Sequence, residues 1–236
     1  MGMAMQLRRP VALVCTSGSA ILNYAPAIVE AYYQKIPLLV LTADRPAAWI
    51  DQGDGQTIRQ ENIYANFIKA AYNLPARIAT DEEVWFVARQ INEACHRLLD
   101  PEPGPVQINV PFNEPLYELV EDSLPEIKNI EVHRAAKRPP EDSIQKCAEL
   151  WNNCTRMMIL AGQLPPNPDL NVILESLADN PSVAVLSETL SNLSGRRFNT
   201  CIDNALSAME EEEPFAPDLL ITLRGGRSFP SGSKPF

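Results

Sequence analysis

Histidine is nearly absent from this chain. His96 and His133 are its whole complement among 236 residues. The two are 37 residues apart and form no paired-histidine motif, so a zinc centre is not expected. No Ser-His-Asp or Cys-His ordering beside a turn-borne nucleophile can be written either. Paired cysteine motifs are missing too. Cys15, Cys95, Cys147, Cys154 and Cys201 are odd in number, widely spaced and without a CxxC. They are expected to be buried free thiols of a reducing compartment.

No apolar run approaches the roughly 20 residues that span a bilayer. The opening Met1 to Pro10 is too short and too polar for a secretory signal. A cytoplasmic protein with no membrane partner is expected. Positive charge is outweighed, with 20 Lys and Arg against 30 Asp and Glu and a net charge of -10. That sign argues against nucleic acid as the partner. It leaves room for a local arginine to hold an anionic substrate. With 45% hydrophobic residues, the chain can bury a core, and its length predicts one or two domains.

What is present is an alternation of short apolar runs with helical patterns. Val11 to Cys15, bounded by Pro10 and Thr16-Ser17-Gly18-Ser19, predicts a strand buried on both faces. Ile21, Tyr24, Ile28 and Ala31 predict a helix from about Ala20 to Gln34, capped by Ser17 or Ser19 and interrupted by Pro26. Ile36 to Leu41 is the next strand, which completes a βαβ unit. A second helix is expected over Glu61 to Lys69, then an extended Tyr72 to Leu74. Thr80-Asp81-Glu82-Glu83 is a capping box, and Val84, Val87, Ile91, Ala94, Cys95 and Leu98 keep helical spacing after it. Pro105 to Val110 is a strand. Residues 1–118 thus predict one α/β layer with a parallel sheet.

Charges and prolines dominate residues 119–140, which predict an interdomain linker. A second α/β pattern occupies residues 141–223: a helix from Glu141, strands at Arg156 to Leu160, Val183 to Leu186 and Asp218 to Leu223, and a helix capped by Asn167 and opened by Pro168. Glu210 to Glu213 predicts a solvated helix end. Residues 224–236 have no period. Three strands make a small sheet with an open edge, so the second domain is expected to be incomplete.

The site is expected where Ile36 to Leu41 ends in Thr42-Ala43-Asp44-Arg45-Pro46, followed by Gly53-Asp54-Gly55-Gln56 and Ile58-Arg59-Gln60. Ligands of open parallel sheets bind at carboxyl ends of strands, and an arginine there offers a planar fork for a carboxylate or phosphate. Gly53-Asp54-Gly55 is a turn rather than a metal-diphosphate motif: it does not directly follow a strand, and Asn62, Asn66 and Asn73 come too soon. Thr16-Ser17-Gly18-Ser19 is either an anion site on free backbone N–H groups or an ordinary cap, and spacing leaves both open.

Thr16-Ser17-Gly18-Ser19-Ala20 with Asn23, Leu41 to Pro46, Gln56 to Gln60, and Gly104 to Tyr117 with its Asn113-Glu114-Pro115-Leu116-Tyr117 resemble the menaquinone-pathway 2-succinyl-5-enolpyruvyl-6-hydroxy-3-cyclohexene-1-carboxylate synthases. Leu160 to Gln163 and Leu190 to Leu193 resemble their central domain. The resemblance covers about residues 1–223 and implies a thiamine-diphosphate pyrimidine-binding domain, N-terminally incomplete, plus part of a central α/β domain. It implies a transferase that joins the unit left by decarboxylation of 2-oxoglutarate to isochorismate, with thiamine diphosphate and Mg2+ or Mn2+, as a homodimer or other homo-oligomer. Arg45 and Gln56 are then the substrate carboxylate pair, and Ser17, Gly18, Ser19 and Asn23 the pyrimidine side of the cofactor. The activating glutamate of the family lies upstream of its Thr-Ser-Gly strand and has no counterpart here. Metal and diphosphate ligands have none either, so no catalytic or metal residue is assigned, and the 236 residues alone are expected to be inactive. Two rival classes are another thiamine-diphosphate decarboxylase or ligase, such as an acetohydroxyacid-synthase relative, and a non-catalytic module paired with a separate diphosphate-domain chain.

Overall fold

The alternation of β-rich runs and amphipathic stretches is realised as two parallel sheets. The computed structural model describes residues 1–113, 127–133, 138–208 and 216–223. The chain divides into two compact units, Met1–Arg134 and Ala135–Phe236. Residues 114–117 of the sequence motif, most of the expected linker, the Glu210 to Glu213 run and the tail from Arg224 lie outside the described residues.

The first unit runs α1 (Gly2–Leu7), β1 (Val11–Cys15), a 3-10 turn (Gly18–Tyr24), α2 (Ala25–Tyr33), β2 (Leu38–Asp44), β3 (Ala70–Asn73), α3 (Asp81–Arg97) and β4 (Val106–Pro111). Its four strands are parallel in the order β1-β2-β4-β3. Alternate residues of β2 point to opposite faces. Leu38 and Val40 pack on one face with Ile21, Ile28 and Ala31, while Leu39 and Leu41 meet Ala94 and Leu98 of α3 on the other. Complete burial of an Ile or Leu side chain contributes about 1.5–3 kcal/mol. Ile21, Ile28 and Leu38 are each 0% exposed.

Several expectations change. β1 is an edge strand, and Ala12 and Val14 are exposed, so it is not buried on both faces. The helix after it begins at Ala25, which puts Pro26 in the first turn, where its missing N–H costs nothing. Residues 18–24 are a 3-10 turn, and neither serine caps it. Residues 61–69 hold turns and a 3-10 piece at Ala65–Phe67 instead of a helix. The left-handed φ of 57° at Asn62 breaks the period there. The cysteines are free, as expected, but Cys95, Cys147 and Cys201 are exposed and Cys15 and Cys154 half-buried. Cys95 sits on the solvent side of α3, beside the buried Ala94.

The Thr80 capping box forms as predicted: the Glu83 N–H donates to Thr80 Oγ1 at 3.2 Å and the Thr80 N–H to Glu83 Oε2 at 3.0 Å. The backbone N–H groups of Ala79 and Thr80 hold the Glu83 carboxyl below its ordinary range.

The second unit runs α4 (Glu141–Asn153), β5 (Met157–Ala161), α5 (Pro168–Ala178), β6 (Val183–Ser187), β7 (Phe198–Asn199), α6 (Ile202–Ser207) and β8 (Leu219–Leu223). Four parallel strands, not three, lie in the order β7-β6-β5-β8. The additional strand is two residues long, too short to show a period. Asn167 accepts from the Leu170 N–H and caps α5. Asp218 accepts from Thr155 and Arg156, which ties the start of β8 to the start of β5 and holds its carboxyl well below the ordinary range.

Candidate functional site

β2 extends three residues past its apolar run, through Thr42, Ala43 and Asp44. On the face that carries Leu38 and Val40, its side chains turn polar toward the carboxyl end. β4 supplies Gln107 and Asn109 to that face, in register with Val40 and Thr42. Thr42, Asp44, Gln107 and Asn109 are all at most 5% exposed. Burying polar groups of this kind is costly unless they are paired, and all of them but Gln107 Oε1 find a partner. Thr42 Oγ1 donates to Asn109 Oδ1 at 2.7 Å, Gln107 Nε2 to Thr42 Oγ1 at 3.1 Å, and Asn109 Nδ2 to Asp44 Oδ2 at 2.7 Å.

Gln60 closes this layer from above and is 0% exposed. Its Oε1 accepts the Gly18 N–H at 2.8 Å, and its Nε2 donates to Ala43 O at 2.9 Å and Asn109 Oδ1 at 3.0 Å. The Gly18 amide is therefore committed to Gln60 and does not serve an anion. Gly18 has φ +81°, and a Cβ there would lie 3.0 Å from the Gln56 backbone. Only glycine lets the two segments approach so closely.

The polar corner is wound from left-handed residues: Asp51 at φ 63°, Gly53 at 78° and Gln56 at 54°. For a non-glycine residue this conformation costs about 1–2 kcal/mol and persists where the surroundings enforce it. Arg45 leaves the end of β2, its N–H bonded to Asp44 Oδ1 at 2.8 Å. Its Nε lies 3.6 Å from Asp54 Oδ2. Asp54 is thus more than a spacer: it sets a counter-ion beside the candidate receptor. Arg59 pairs with Asp51 at 2.7 Å, but its side chain is 81% exposed, so that pair contributes little.

Of the residues expected at the site, the structure gathers Arg45, Gln56 and Gly18 into one corner, through Asp54 and through the Gln56 backbone. Ser17 is buried under them, and Ser19 and Asn23 stand exposed on the 3-10 turn. That turn is fixed from below: Tyr64 donates its hydroxyl to Ile21 O and Tyr24 to Val14 O. Burial pushes the Tyr64 phenol far above its ordinary value. Sequence reasoning included Asp44 and Gln60 in the expected corner without giving either a role, and it did not single out Gln107 and Asn109. The strict alternation Val106-Gln107-Ile108-Asn109-Val110 within a strand was the available signal, because it places both amides on one face.

Residues 1–63 match the family described as thiamine pyrophosphate enzyme, N-terminal TPP binding domain. The 2-succinyl-5-enolpyruvyl-6-hydroxy-3-cyclohexene-1-carboxylate synthase of Christiangramia forsetii is 42% identical, over 95% of this chain and 42% of that protein. This chain is a relative of those synthases. The synthase of Flavobacterium psychrophilum is also 42% identical, over 95% of this chain and 40% of its own length. The chain thus spans about two fifths of the length of the curated relatives it matches. Among solved structures, the thiamine diphosphate-dependent 4-hydroxybenzoylformate decarboxylase of Rhodococcus jostii shares the fold. Its TM-score is 0.59 at 21% identity, over 79% of this chain and 34% of that one.

Ser19 and Asn23 are exposed on the turn that begins at Gly18, and a hydroxyl and an amide each offer a donor and an acceptor. Among the described residues no three His, Cys, Asp or Glu converge as metal ligands. Among them, too, no helix is long and apolar enough to cross a membrane.

Proposed function

We propose that this chain provides the substrate-carboxylate and pyrimidine-side surfaces of a synthase that adds the decarboxylated 2-oxoglutarate unit to isochorismate. Thiamine diphosphate, bound with Mg2+ or Mn2+, would supply the carbanion-stabilising chemistry. Arg45 and Gln56 bind and orient a substrate carboxylate, and Ser19 and Asn23 face the pyrimidine ring. The observation that carries the reading is Arg45 at the carboxyl end of a central strand, with Asp54 beside it and Gln56 closed onto Gly18. Both substrates carry two carboxylates, and a guanidinium meets a carboxylate through two parallel hydrogen bonds.

The test is equilibrium binding of 2-oxoglutarate and of isochorismate to the purified chain. Arg45→Met should weaken both on the order of tenfold or more, as expected for loss of a charged hydrogen bond, with thermal stability nearly unchanged. Equal affinity of the variant and the parent chain would sink the assignment of Arg45.

A further inference from the structure

We infer that Gln60 is a positioning residue that locks the turn at residues 16–19 and the Arg45 corner into one body through a continuous chain of hydrogen bonds, buried up to its last, part-buried link at Arg45. The functional meaning of that lock rests on the proposed carboxylate role of Arg45; the chain of bonds does not. From one end to the other it has four links. The Gly18 N–H donates to Gln60 Oε1 at 2.8 Å, Gln60 Nε2 to Asn109 Oδ1 at 3.0 Å, Asn109 Nδ2 to Asp44 Oδ2 at 2.7 Å, and the Arg45 N–H to Asp44 Oδ1 at 2.8 Å. Gln60, Asn109 and Asp44 are 0%, 3% and 5% exposed, so water does not replace a broken link at low cost.

Residue type is tightly specified along this path. At position 60 an acceptor must face Gly18 while donors face Ala43 O and Asn109 Oδ1. An amide meets that demand. A glutamate would set a carboxylate against two oxygen acceptors, and a methionine of similar size would leave Gly18 and Asn109 without their partner. Gln60 lies four residues beyond Gln56, whose backbone already closes on Gly18. The segment from Gln56 to Gln60 therefore grips the turn twice, once by shape and once by hydrogen bond. Through Asn109 and Asp44 the second grip reaches the backbone amide from which the Arg45 side chain departs. Gln60 touches neither substrate nor cofactor in this account. It fixes the distance between the surface that would hold the pyrimidine ring and the arginine that would hold the carboxylate.

Amide hydrogen exchange of the full 236-residue chain, read by NMR at Gly18 and Arg45, tests the lock. In Gln60→Met both amides should exchange on the order of tenfold faster, although Arg45 is bonded to Asp44 and not to residue 60. Strand β6 of the second unit should keep its protection. Asp44→Asn is nearly isosteric and provides the reciprocal test should Gln60→Met fail to fold: loss of protection should appear at Gly18, three links away. If each variant loosens only the amide bonded directly to it, the coupling does not exist and the inference fails. Binding of 2-oxoglutarate, measured alongside, should weaken several-fold in Gln60→Met. A parent chain that binds no 2-oxoglutarate would overturn the carboxylate reading, while the two amides would still decide the lock.

Discussion

The two units carry the same architecture with opposite chemistry at the strand ends. In the first, the inner face of β2 reads Leu38, Val40, Thr42, Asp44, and β4 adds Gln107 and Asn109 beside it. In the second, the buried face of β5 reads Met157, Ile159, Ala161, and that of β6 Val183, Val185, Ser187. Among the described residues the second sheet ends in one buried hydroxyl, Ser187 Oγ, without a partner. A four-stranded parallel sheet is therefore not a site by virtue of its fold. In the first unit, where the site is proposed, the last layer is made of amides and a carboxylate that fix a loop above it. The second sheet spends those positions on core packing.

The largest effect that would sharpen this contrast belongs to the second unit. Ile159 is 2% exposed in its core, and Ile159→Ala should cost about 2–5 kcal/mol by loss of transfer energy and the cavity left behind. Denaturant unfolding measures it, and a cost below about 1 kcal/mol would show that this sheet is not the packed core described. Next comes the first unit's polar layer. Asn109→Leu gives β4 the apolar character of β5 but takes the acceptor from the Thr42 hydroxyl hydrogen and the Asn109 donor from Asp44 Oδ2. It should destabilise by about 1–3 kcal/mol despite the added hydrophobic surface. A stabilised variant would break the comparison.

Smaller effects should not distinguish the units. Thr80→Ala and Asn167→Ala each remove a helix cap and should each cost about 1 kcal/mol, lowering the midpoint of thermal unfolding. The smallest concerns alkaline pH. Burial, with Glu93 nearby, pushes the Tyr72 phenol up from 10 to about 12. The neutral form is favoured in the folded state, so this contribution is complete below pH 10 and disappears as pH rises through 12. Tyr72→Phe should flatten the loss of stability across that window, and an unchanged slope would contradict the assignment.

The caps at Thr80 and Asn167, unlike the one expected at Ser17 or Ser19, were readable because they are local: a hydroxyl or amide three residues before the N–H it accepts needs no knowledge of the fold. β2, β4, β5 and β6 were readable from composition and length. Arg45 and Gln56 were placed through the resemblance and by the break from apolar to polar at a strand end. What could not be read depends on pairing across many residues. Gln60 meets Gly18 at a separation of 42 residues and Asn109 at 49. No periodicity reports such contacts. The expected helix at residues 61–69 failed for a related reason. Its apolar residues do face inward, but the turns that deliver Gln60 and Tyr64 to the site take precedence over local propensity.

The most direct measurement is the NMR signal of the Arg45 Nε–H during titration with 2-oxoglutarate, with Arg59 in the same corner as an internal control. Arg45 is held beside Asp54 at the strand end, and Arg59 projects into solvent. A saturable shift at Arg45, with Arg59 nearly still, is the expected result. Equal, non-saturating shifts at both arginines, or none at Arg45, would contradict it.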